Sequence, residues 1–152
     1  MKELIDASRQ GNTDQIAKLL AQGADVNFQD EKGFTPLIIA AYNNQAEAAT
    51  MLLRNGADVN QKDYGGNTAL MGVCFKGHLE LAEILIEHGA DINATHGNGG
   101  TALMFASMFG KNNLVKLLLN HGADRMATDQ RGMMAVDHAG IQGNMEIIEL
   151  LS

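Results

Sequence analysis

The run Asp30-Glu31-Lys32-Gly33-Phe34-Thr35-Pro36-Leu37-Ile38-Ile39-Ala40-Ala41, closed by Leu52-Leu53 and Gly56-Ala57-Asp58-Val59-Asn60, decides the fold because it returns. Its closing phrase recurs as Gly23-Ala24-Asp25-Val26-Asn27 and Gly89-Ala90-Asp91-Ile92-Asn93, and more faintly as Gly122-Ala123-Asp124-Arg125, always 33 residues on. A strict long period describes stacked units rather than one globular core. A unit of this size buries its apolar face only against its neighbours. The expected fold is an all-α repeat solenoid, a stack of helix pairs with protruding hairpin loops. A function is then sought on a surface rather than in a deep pocket.

Within each unit Thr35, Thr68 and Thr101 precede Pro36-Leu37, Ala69-Leu70 and Ala102-Leu103. Threonine accepts a hydrogen bond from an orphan N–H at a helix start, and proline at the first helical position loses nothing. The spacing predicts first helices over 36–43, 69–76 and 102–109, and second helices over 46–54, 79–87 and 112–120. Apolar columns hold across the copies: Leu19, Leu52, Leu85, Leu118 and Leu151; Leu20, Leu53, Ile86 and Leu119; Ile16, Ala49, Ala82, Val115 and Ile148. Gly23, Gly56, Gly89 and Gly122 end the second helices, where glycine takes a left-handed conformation without strain. Polar turns follow at 30–33, 63–66, 96–99 and 129–132. The units read as 1–29, a capping unit, then 30–62, 63–95 and 96–128, and a degenerate capping unit at 129–152. The whole forms one domain, 1–152. In the last unit Met134 stands where the capping threonine is expected.

The net charge of −7 argues against a nucleic-acid backbone and an anionic membrane, and favours a partner with basic or apolar patches. No basic start with an apolar core suggests a secretory signal, and no stretch reaches membrane-spanning length. A single cysteine, Cys74, fits a reducing compartment, so a cytoplasmic location is expected, with non-classical export the alternative.

The histidines His78, His88, His96, His121 and His138 lie too far apart along a stack to suggest a metal site. His88 and His121 precede helix-ending glycines and suit the free carbonyls there. Cys74 falls on a small, inward position and reads as packing. Asp25, Asp58, Asp91 and Asp124 recur in turns, where local hydrogen bonds explain them better than acid–base pairs. Gly97-Asn98-Gly99-Gly100 lacks the Lys-Ser/Thr of a phosphate loop and reads as a flexible hairpin tip. No catalytic, metal or cofactor constellation is visible, so an enzyme is disfavoured and no cofactor is expected.

The unit closely resembles the ankyrin repeat, whose pattern is Asp-x-x-Gly-x-Thr-Pro-Leu-His-x-Ala-Ala, then Leu-Leu and Gly-Ala-Asp-Val-Asn. The resemblance covers the whole chain. It departs at the family's histidine, replaced by Ile38, Met71, Met104 and Asp137, which suggests looser or more apolar packing between loops. It departs also at Asn44, where a helix-linking glycine is usual. The resemblance implies protein–protein recognition through a concave face and hairpin tips, without catalysis. Separately, a chain that is monomeric when free is expected. Carried onto this sequence, the tips hold Phe34, Tyr64, Asn67, Arg131 and Met133. The first-helix face holds Tyr42, Phe75, Lys76, Met108, Phe109 and Ile141. Tyr42, Phe75, Met108 and Ile141 share one column at 33-residue spacing. Phe105 and Phe28 lie outside this apolar strip. The strip is either an interface or packing between units, since Tyr42 and Phe75 directly follow the inward Ala41 and Cys74. A passive structural or chaperone-like accessory role is the alternative function.

Overall fold

The computed structural model describes residues 1–152. Ten helices run in order: α1 (Lys2–Gln10), α2 (Thr13–Ala21), α3 (Pro36–Tyr42), α4 (Ala46–Arg54), α5 (Ala69–Lys76), α6 (Leu79–Glu87), α7 (Ala102–Met108), α8 (Asn112–Asn120), α9 (Ala135–Gln142) and α10 (Met145–Leu151). Strands are absent apart from one isolated bridge between Thr95 and Thr101. The fold is an all-α repeat solenoid. The expected helix bounds hold to within one residue.

The caps explain the precision. Thr35 Oγ1 accepts from the Ile38 N–H at 3.1 Å, and Thr68 and Thr101 do the same for Met71 and Met104 at 3.3 Å each. All three threonines are buried, so each cap also satisfies a hydroxyl; such caps contribute about 1 kcal/mol apiece. In the last unit the cap is reversed. Met134 has no oxygen to offer, but its own N–H donates to Asp137 Oδ2 at 2.8 Å, the other half of a capping box.

Helices α1, α3, α5, α7 and α9 stack as one layer, and α2, α4, α6, α8 and α10 stack behind it. The first layer is the more closely packed, so the stack curves with the first helices inside. Small residues permit this approach: Ala7, Ala40, Val73, Ala106 and Ala139 form one buried column, and Ser8, Ala41, Cys74 and Ser107 another. Ser8 and Ser107 remain satisfied by donating to Leu4 and Leu103 carbonyls at 2.7 Å. One continuous core runs from Leu4 to Leu151. Leu52, Leu85, Leu118 and Leu151 are buried in it, whereas Leu19 at the open end is half-buried.

The repeated phrase is itself a fastener. Asn27 Oδ1 accepts from the Asp58 N–H at 2.8 Å, while its Nδ2 donates to the Gly56 carbonyl at 3.2 Å. Asn60 grips Asp91 and Gly89 in the same way, and Asn93 grips Asp124 and Gly122. The aspartates act locally, Asp25, Asp58 and Asp91 accepting from the N–H two residues on. At the next register position Met126 stands in place of the asparagine and has no amide to form such a clasp.

The hairpin loops stack too. Tyr64, Gly97 and Gln130 N–H groups donate to the Lys32, Gly65 and Asn98 carbonyls of the preceding hairpin at 3.1, 3.2 and 2.9 Å. Gly33 is required by this stacking, since a Cβ there would lie 2.6 Å from Tyr64 N. The tip at 97–100, expected to be flexible, is therefore bonded on both sides. Burial of Ile38, Met71 and Met104 makes the loop bases apolar, as the missing histidines suggest.

Candidate functional site

On the first-helix face three aromatic rings form a ladder. Tyr42 and Phe75 lie nearly parallel, with centroids 6.3 Å apart, and Phe109 meets Phe75 edge-on at 4.7 Å. The Lys76 ammonium sits 5.1 Å above the Tyr42 ring, within range for a cation–π contact. Tyr42 and Phe75 lie on α3 and α5 and Phe109 caps the end of α7, and these three helices contain no carboxylate. Acidic side chains gather instead on the outer layer, where α6 alone carries Glu80, Glu83 and Glu87.

Tyr42, Phe75 and Phe109 are 40%, 40% and 42% exposed. Each ring leans on its neighbours and still presents about two-fifths of its surface. Met108 is half-buried, and the ring that reaches Phe75 is Phe109, one residue on. The 33-residue column thus predicts backbone position but not which side chain closes the ladder. Ile141 is 69% exposed at the far end.

The tips divide differently. Tyr64 is 70% exposed and Arg131 is open. Asn67 and Met133 are half-buried, and the Asn67 amide turns inward toward Asp63. Phe34, expected as an exposed tip residue, is half-buried because it walls a pocket between the second and third units. That pocket, about 420 Å³, is also lined by Ile39, Tyr42, Asp63, Gly72, Phe75 and Phe105. Phe105, left outside the strip by sequence, belongs to this wall.

Gly72 creates the pocket. It occupies the helix column of Ile39, Phe105 and His138 and supplies no side chain. A glycine inside a helix costs about 1 kcal/mol relative to alanine. Backbone geometry does not demand it, for Gly72 has no left-handed φ and a Cβ would meet only Tyr42 Cδ1, at 3.4 Å. No spacing rule could flag this residue, because its effect is the volume it omits.

Three of the histidines have structural partners. His88 and His121 donate from Nδ1 to the Ile84 and Leu117 carbonyls at 2.9 Å, at helix ends. His138 Nε2 meets Asp129 Oδ2 at 2.9 Å. Cys74 is fully enclosed, and burial pushes its thiol up to about 12, which suppresses the nucleophilic thiolate. No three of His, Cys, Asp and Glu converge as metal ligands.

The family model described as Ankyrin repeats (3 copies) matches residues 4–96, and that described as Ankyrin repeats (many copies) matches residues 85–139. The chain belongs to the ankyrin repeat family. Ankyrin repeats are in general protein–protein interaction modules, typically without enzymatic activity. In this ankyrin repeat chain no helix is long and apolar enough to cross a membrane.

Proposed function

We propose that this ankyrin repeat protein binds a protein partner on its first-helix face and hairpin tips, with Tyr42, Phe75 and Phe109 as the central apolar anchors. The observation that carries the reading is a contiguous, half-exposed aromatic ladder along α3, α5 and the end of α7, helices free of carboxylates. Aromatic side chains supply most of the energy at the desolvated centre of protein interfaces, and exposed apolar patches mark contact sites. Lys76, Met108 and Ile141 extend the face, and Tyr64, Asn67, Arg131 and Met133 form its tip-side rim. Phe34 belongs to the pocket beneath. The net charge of −7 supports a partner whose contact surface is apolar with a basic surround. In this reading residues 1–152 work as a single domain, monomeric when free, in the cytoplasm, with 1–29 and 129–152 as caps.

The test is capture from native lysate by wild type, by a Tyr42→Ala, Phe75→Ala pair, and by an outer-layer Glu83→Ala control. The pair weakens capture of a specific partner by about thirtyfold or more, given about 2 kcal/mol for a hot-spot truncation. Glu83→Ala has no effect, and far-UV circular dichroism is unchanged in both. Unaltered capture by the pair, or loss of its cooperative melt, rejects the interface reading.

A further inference from the structure

The last unit shows what the pocket at Gly72 lacks. Asp129 Oδ1 accepts from the Arg131 and Met133 N–H groups, and its Oδ2 takes the His138 ring. Two periods earlier, Asp63 Oδ1 accepts from Gly65 and Asn67 in the same manner. The residue equivalent to His138 is Gly72. Asp63 Oδ2 therefore has no hydrogen-bond partner and is not sealed from solvent, and Asp63 is a wall residue of an apolar, aromatic pocket.

We propose that this pocket takes a tryptophan side chain of the protein partner, its indole N–H donating to Asp63 Oδ2 while the ring packs among Phe34, Tyr42, Phe75 and Phe105. The inference rests on the concave-face reading above and names the partner group that the site selects. The volume of about 420 Å³ suits a bicyclic ring, near the lower end of small-molecule sites at about 300–1,000 Å³. A purely apolar side chain would strip water from Asp63 Oδ2 and return no hydrogen bond. Arginine matches poorly: Asp63 Oδ1 is already occupied, which leaves one oxygen for a two-pronged fork, and Lys76 places a like charge at the rim. Histidine brings a second ring nitrogen that these walls leave unpaired, since the Asn67 amide is turned to Asp63. Indole has one N–H and no further polar atom.

The probe is a capped pentapeptide, Gly-Gly-Trp-Gly-Gly, titrated into isotope-labelled protein while the backbone amide resonances of Asn67, Gly72 and Phe75 are followed. Matching peptides carry arginine, histidine or N1-methyltryptophan at the centre. The tryptophan peptide shifts these resonances saturably, and the other three bind at least about tenfold more weakly, as expected for loss of a specific polar contact. Asp63→Asn keeps an oxygen for the hairpin N–H groups but turns the free acceptor into a donor, and it also weakens tryptophan binding about tenfold. Gly72→His rebuilds the internal pair of the last unit, abolishes peptide binding and raises the melting temperature. Preference for arginine or histidine, equal binding of the methylated indole, or no saturable shift at these residues overturns the proposal. The two failures are separable: if Tyr42→Ala, Phe75→Ala loses the partner and Gly72→His retains it, the surface stands and the tryptophan assignment falls.

Discussion

Asn44 is the only non-glycine residue with positive φ, at 59°, and it joins α3 to α4. Glycines fill the equivalent positions Gly11, Gly77, Gly110 and Gly143, with φ between 69° and 89°. Asparagine tolerates this conformation better than other side chains with a Cβ, whereas the general penalty is about 1–2 kcal/mol. Asn44→Val therefore lowers stability by about 1–2 kcal/mol, with more cost from its β-branch. Asn44→Gly stays within about 1 kcal/mol of wild type. Urea unfolding midpoints of the two variants check both expectations. The position was legible in sequence because the surrounding register is strict. Phe34 and Phe105 were not legible in the same way, since the register gives a Cα position and not the direction in which a large ring fills space.

At the scale of elements, the threonine caps, the helix bounds and the layer of small residues could all be read from one unit. The pairing of hairpin 129–132 with α9 could not, because it depends on a residue that occurs once, His138. It ties the last hairpin to the last first-layer helix where the regular cap is missing. The Asp129 carboxyl is held below its ordinary value, chiefly by the Met133 N–H, then by the His138 side chain and the Arg131 N–H. A depressed carboxyl stabilises the fold above its unfolded value of about 3.9, and that contribution is lost as the pH falls through the lower folded value. Acid thus loosens this unit. The melting temperature falls more steeply for wild type than for Asp129→Asn as pH drops from about 5 to below the folded value. Thermal melts followed by circular dichroism across that range would show parallel curves if the carboxylate contributes nothing.

Across the whole molecule, stability is a sum of unit terms and nearest-neighbour interfaces. The asparagine clasps lie along one edge of those interfaces, linking residues 29 and 31 apart. Sequence displayed the recurring asparagine but not its reach, because a contact between units has no local signature. Removing a central clasp weakens one junction while leaving every helix and core side chain in place. Asn60→Ala should cost about 1–2 kcal/mol for two exposed hydrogen bonds. It also lowers the apparent slope of urea unfolding by letting the two halves part company. Met126→Ala, at the equivalent register position but with no amide to lose, leaves both midpoint and slope unchanged. A sharp, single transition of normal slope in Asn60→Ala would show that the core alone carries the coupling.

Cys74 lies in the middle of the small-residue column, sealed between α3 and α7. A thiol reagent reaches it only after neighbouring helices separate. The chain therefore contains its own gauge of breathing: the alkylation rate of one native sulfur reports how often the centre of the array opens, without any introduced label.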